Sequence, residues 1–286
     1  SSRRRHTRYI SVTGVQTCAL PIFHLNGYAM RYGGDPAFRS GAFTNADPAI
    51  RRKAIDLTKR AVDEAREAGG RMLTIWPGQD GFDHPFQVDY GRLWDWEVEG
   101  IRAVADHDPS FPVSIEYKPN EPRSVFILPN VHATLLAIAE AGSKNLGVTL
   151  DVAHVFEADT NPALAAALVG RRSKLLGLHI NDAYGRRDDG LMVGAVHTVQ
   201  TLELLRRMRL DGFDGTIYLD TFPDTAALDP VEEARTGIAV IEAMLDLLDR
   251  LPEADLQAAL DRHDAIADRK STRLNSSHTD ISRMPS

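Results

Sequence analysis

The segment Ser114–Arg123, SIEYKPNEPR, sets a carboxylate and an amine two residues apart on a strand-like alternation before a proline breaks it. Side chains two apart in a strand share a face, so Glu116 and Lys118 point together. One reading is a buried ion pair, which says little about function. The other comes from their company. Asp151, His179 and Asp220 lie at the ends of the next three strand-like runs. Glu, Asp, His and Asp from four strand ends form a ring of hard oxygen and nitrogen donors, suited to Mg²⁺, Mn²⁺ or Co²⁺ rather than to a thiolate-bound metal. Three carboxylates brought to one mouth would repel until one took up a proton. A divalent cation removes that conflict.

A second group lies beside the first. In LDVAH, Asp151 and His154 are three apart, and HINDAYGRRDDG follows with Asp188 and Asp189. Asp151 can bridge to a second cation held by His154 and one of those two aspartates. The competing reading of GRRDDG is a solvated turn. Trp76, which ends an apolar run before PGQDG, and Phe38, in GDPAFRSGAF, are candidates for aromatic walls beside a ligand. Core packing is the alternative for both. Glu121 and Arg123 read as scaffolding for the loop after the strand.

The elements that must position these residues alternate. Short apolar runs predict strands at His24–Tyr28, Met72–Trp76, Val113–Pro119, Leu146–His154, Leu175–Asp182 and Gly215–Phe222. Helical segments lie between them. Asp47-Pro48, Asn161-Pro162 and Asp229-Pro230 are start signals, and glycines such as Gly69-Gly70 are stops. Strand–helix alternation predicts a parallel sheet with helical crossovers. Polar residues stand at the C-terminal end of each later strand, as in a barrel, and no glycine-rich phosphate loop marks an open sheet. The expected fold is therefore α/β, a (β/α)8 TIM barrel, incomplete with about six βα units.

Composition narrows the partners. The chain has 286 residues, 43% hydrophobic and 26% charged, as in an ordinary globular protein. No apolar run approaches the roughly 18 residues of a membrane span. Residues 1–23 hold four arginines and no acid, and 269–286 hold four bases and one acid. Both ends resemble translated sequencing-adapter DNA. A basic signal or transit peptide is the alternative for the first, but it has no adequate apolar segment. With +4 and +3 at the ends and −7 overall, residues 24–268 carry −14. A body so acidic repels phosphate backbones, which argues against nucleic acid. The single cysteine, Cys18, lies in the first tail, so disulfides and thiol catalysis drop out and a cytoplasmic location is expected.

EYKPNEPR resembles the EPKPNEPR signature of xylose isomerase. GDPAFRSGAFTNADPAIRR and IWPGQDG look like that family's segments after its third and fourth barrel strands, so the six units correspond to strands 3–8. Two segments depart from it: DVAH has Asp in place of Glu, and LHIND has His and Asn where xylose isomerase has a metal-binding Asp. These departures, and GLMVG, are closer to the L-rhamnose isomerase branch. The resemblance implies an enzyme that interconverts aldoses and ketoses by a hydride shift between C1 and C2 with two divalent cations. It implies a first cation on Glu116, Asp151, His179 and Asp220, and a second near Asp151, His154 and Asp188 or Asp189. Lys118 matches the lysine that polarises a sugar oxygen, and Trp76 and Phe38 match the hydrophobic walls.

The family's early catalytic histidine has no counterpart after residue 24, which implies weak activity for this polypeptide. The implied partners are a monosaccharide and further copies in a dimer or tetramer. Two rivals share the barrel. A keto-sugar 3-epimerase uses one metal and more often has Glu where this chain has Asp220. A zinc-dependent DNA-repair endonuclease fits poorly with a −14 body. A non-catalytic barrel is the third alternative, and retention of the ligand ring and Lys118 counts against it.

Overall fold

A computed structural model describes residues 25–223 and 227–271. The expected tail at 1–23, residues 272–286 of the expected tail at 269–286, and His24 of the first expected strand lie outside the described residues, while residues 269–271 of the second tail end a helix. The chain forms two compact units that meet in sequence between Thr149 and Leu150.

The first unit contains β1 (Gly27–Met30), α1 (Pro48–Glu67), β2 (Met72–Ile75), β3 (Gly81–Phe82), α2 (Tyr90–Ala105), β4 (Val113–Glu116), β5 (Val125–Phe126), α3 (Val131–Ala141) and most of β6 (Leu146–Asp151). β1, β2, β4 and β6 pair in that order, all parallel, with Leu73 opposite Val113 and Val113 opposite Leu146. The central strands are buried along their whole length, as apolar runs covered on both faces must be. One face is polar: the hydroxyls of Ser114 and Thr149 stand 2.6 Å apart. β3 and β5 form a small antiparallel pair that the sequence pattern did not signal.

Helix starts follow the expected chemistry. The Asp47 carboxylate accepts from the Ala49 N–H and Pro48 opens α1. Asn130 caps α3, which ends at Gly142 with φ +75°, a conformation glycine adopts without strain. α1 and α2 present apolar stripes that include Val62, Ile101 and Val104, all buried.

The second unit holds the end of β6, α4 (Val152–Glu157), α5 (Pro162–Arg172), β7 (Leu175–Ile180), α6 (Thr198–Leu210), β8 (Thr216–Leu219), α7 (Pro230–Asp249), α8 (Glu253–Asp261) and α9 (Ala265–Ser271). β7 and β8 pair in parallel, with Gly177 opposite Thr216 and Ile180 opposite Leu219. Its core includes Leu150, Val155, Leu178, Ile180, Leu204 and Met244. Asn161 and Asp229 cap α5 and α7 as expected.

Several strands are shorter than the sequence suggests. β4 stops at Glu116, and β7 stops at Ile180. β6 stops at Asp151 because that side chain accepts from the His154 N–H and starts α4, so His154 sits on a helix rather than on a strand. Among the described residues, no helix is long and apolar enough to cross a membrane.

Packing outweighs capping in this fold. Ile101→Ala should lower the free energy of unfolding by about 2–5 kcal/mol, and Asp47→Ala by about 1 kcal/mol. Urea denaturation reads both, and equal losses would contradict the ranking.

Candidate metal centre

The second unit brings three of the expected ligands together. Asp151 ends β6, His179 is the penultimate residue of β7, and Asp220 directly follows β8. His179 is opposite Tyr218 in the ladder, and Asp220 lies two residues beyond Tyr218, so both side chains take the same face. His179 Nδ1 is 3.3 Å from Asp220 Oδ2 and 3.7 Å from Asp151 Oδ2. The potential ligand atoms all lie within 4.8 Å of one another. Adjacent corners of an octahedron around a small dication, with bonds of about 2.1 Å, stand about 3 Å apart. Donor type and spacing therefore fit a hard divalent cation.

Electrostatics favour the same use. Burial acts to raise the Asp151 carboxyl, but the nearby His154 and His179 and the His154 N–H more than offset it. The group falls from its ordinary 3.8 to about 2. Asp151 is thus ionised at neutral pH although its side chain is only 1% exposed.

Asn181, fully buried, organises these strand ends. Its Nδ2 donates to Asp151 Oδ1 at 3.2 Å and to the Asp220 carbonyl at 2.9 Å, while its Oδ1 accepts from the Ala153 N–H at 2.8 Å. One neutral side chain ties the ends of β6 and β8 and the first turn of α4 to β7. Sequence reading placed Asn181 at a strand end and assigned it no role. A buried amide at a strand end, between two carboxylate positions, was the available signal.

The second expected group separates. His154 Nε2 lies 3.2 Å from Asp188 Oδ2, and both side chains are largely buried. Asp189 serves its own turn: it accepts from the Tyr184 N–H at 2.9 Å and from Arg187 Nε at 2.8 Å. Those two bonds hold its carboxyl below the usual range. Of the two candidates, the structure brings Asp188 to His154, and the turn reading describes Asp189.

The remaining candidates belong to the first unit. Glu116 ends β4 and is fully buried. Lys118, two residues later, is 5% exposed, with Nζ 3.2 Å from Glu121 Oε2. Glu121 therefore does more than shape the loop, since it supplies a counter-charge to Lys118. Arg123 is scaffolding as expected: it donates to the Arg39 and Gly81 carbonyls and pairs with Asp83 at 3.1 Å.

Trp76 follows β2, half-buried, with Phe126 edge-on at 5.7 Å and the Arg31 guanidinium 5.2 Å from its ring centre. The indole lies over Gly78, where a Cβ would come within 1.9 Å of it, so the ring position requires glycine. Phe38 is 1% exposed and meets Tyr32 edge-on at 5.5 Å.

Residues 20–244 match the xylose isomerase-like TIM barrel family, and the chain belongs to it. It is 27% identical over 223 residues to a xylose isomerase of Thermus thermophilus, an alignment covering 76% of this chain and 56% of that protein. The chain thus spans little more than half the length of this curated relative. Among solved structures it resembles a D-tagatose 3-epimerase-like protein, with TM-score 0.69, 16% identity and 83% of each chain covered. At that identity the likeness shows the fold alone. It also resembles protein SMc04130 of Sinorhizobium meliloti, with TM-score 0.59, 26% identity, and 72% of this chain and 76% of that chain covered.

The depressed Asp151 carboxyl has a signed consequence. Its folded value lies below its ordinary value, so its contribution is complete above about pH 4 and is lost as pH falls towards about 2. That contribution is on the order of 2 kcal/mol. In metal-stripped protein, urea curves across this window should show the wild type losing stability faster than Asp151→Asn. Identical slopes would refute the assignment.

Proposed function

We propose that the chain carries the active site of a cation-dependent aldose–ketose sugar isomerase. The observation that carries this reading is the convergence of Asp151, His179 and Asp220 at strand ends in a chain of this family. Glu116 is proposed as the fourth ligand of the first cation. In the ladder it is opposite Thr149, and Asp151 lies two residues beyond Thr149 on the same strand, which supports a common face. His154 and Asp188, with Asp151 shared, are proposed to hold a second cation, and the 3.2 Å approach of His154 to Asp188 supports that pairing. Mn²⁺, Mg²⁺ and Co²⁺ suit these donors.

Such cations supply positive charge to the oxygens of an open-chain sugar. The chain's own residues do the rest. Asp151, already ionised, needs no proton removed before it binds. Lys118 brings a buried cation to the oxygen on which charge develops, where low dielectric strengthens its effect, and Glu121 orients its amine. The overall change moves a hydride from C2 to C1 and a proton from O2 to O1, so the aldose becomes a ketose with no outside oxidant. Trp76 and Phe38 are proposed as apolar walls that keep water from the reacting carbons. A monosaccharide substrate, a homo-oligomeric assembly and a cytoplasmic setting belong to the same proposal.

The test is a panel of aldoses assayed with Mn²⁺, Mg²⁺ and Co²⁺, before and after EDTA treatment. Expected is interconversion of at least one aldose with its ketose, abolished by EDTA and restored by the ion. Lys118→Met should lower kcat by about 10²–10³ with a smaller change in KM. Inactivity with every aldose, together with inversion of a ketose at C3, would replace this reading with an epimerase.

A further inference from the structure

The segment between β7 and α6 delivers Asp188 to His154, and its two ends are closed by one side chain that the proposed chemistry does not use. Asp182 is fully buried. Its Oδ2 accepts from the N–H groups of Val196 and His197 at 2.7 and 2.8 Å. Its Oδ1 accepts from the Ala183 N–H at 2.9 Å and lies 2.8 Å from His197 Nδ1. Its backbone exchanges two 2.9 Å bonds with Leu191. The first and last residues of the loop are thus bound to the same carboxylate, fourteen or fifteen positions apart for the far pair.

Further contacts shape the loop between these anchors. Asp189 closes the turn on Tyr184, and the Phe222 N–H donates to the Gly190 carbonyl at 2.9 Å. Gly190 has φ +57°, and a Cβ there would meet the Phe222 ring at 2.2 Å. The His197 ring, fixed by Asp182, stacks on Phe156 of α4 at 3.9 Å, two residues from His154. Asp182 therefore links the loop bearing Asp188 to the helix bearing His154.

We propose that Asp182 is a positioning residue that latches residues 183–196 so that Asp188 meets His154 at the second cation position. This rests on the reading that those two residues hold a cation. Ordering a loop of this length costs conformational entropy in the absence of fixed ends, and a dianchored loop delivers its carboxylate already placed.

Asp182→Asn tests the latch with almost no change in size. An amide accepts through one atom only, so either the Val196 and His197 amides or the Ala183 amide would face an NH₂ group. Mn²⁺ binding to the full chain, followed by the electron paramagnetic resonance of free Mn²⁺, should show the second site weakened at least tenfold and the first within twofold of wild type. Hydrogen exchange of the 183–197 amides should accelerate at least tenfold. Wild-type affinity at both sites overturns the proposal, whatever the exchange rates. If wild type binds one ion only, the two-cation reading fails; exchange alone then decides the latch, and unchanged rates overturn it. Should Asp182→Asn not fold, His197→Ala, which keeps the backbone anchors, is read by the same two measurements with about a threefold effect expected; no effect on either overturns the proposal.

Discussion

Two carboxylates and an imidazole on strand ends drift apart or neutralise one another unless something holds them without cancelling their charge. In the second unit the Asn181 side chain does this. Its amide reaches the Asp151 carboxylate, the Asp220 carbonyl and the Ala153 N–H from one buried position. Because it is neutral, it orders the strand ends without adding charge to them. An aspartate in its place would add a further negative charge to a buried cluster, and an apolar residue would leave polar groups of the strand ends without a partner.

Three aspartates of the second unit differ in what already occupies their oxygens. Asp182 is saturated by three amides and a ring nitrogen and serves the loop. Asp189 is used up by Tyr184 and Arg187. Asp151 caps α4 with one oxygen and still turns the other towards His179. Among these three aspartates, hydrogen-bond occupancy separates the two that serve their own loop from the candidate ligand.

Much of the frame was legible along the chain. Asp-Pro and Asn-Pro starts mark three helices because an acceptor side chain and a fixed φ meet the needs of a first turn wherever they occur. The parallel alternation, and the polar residues at strand ends, followed from composition and period. Strand ends were less legible. The run at Leu146–His154 continues through Val152 and Ala153 past the point where the Asp151 cap takes over the backbone, and the run at Leu175–Asp182 ends its strand at Ile180, before the strand-disfavouring Asn181 and Asp182. β3 and β5 are two residues each, too short for any period to register.

Residue type and spacing were enough to nominate Asp151, His154, His179 and Asp220, since hard donors at successive strand ends are unusual without a ligand. They were not enough to choose between Asp188 and Asp189, which are adjacent and chemically identical. That choice depends on which carboxylate is already satisfied by its own turn, and only the folded loop supplies the Tyr184 amide and Arg187 that satisfy Asp189. The same holds for Lys118 and Glu121 and for the Asp182 anchors: each needs a backbone path that brings distant or turned residues within 3 Å or so, and such paths are set by packing rather than by local pattern.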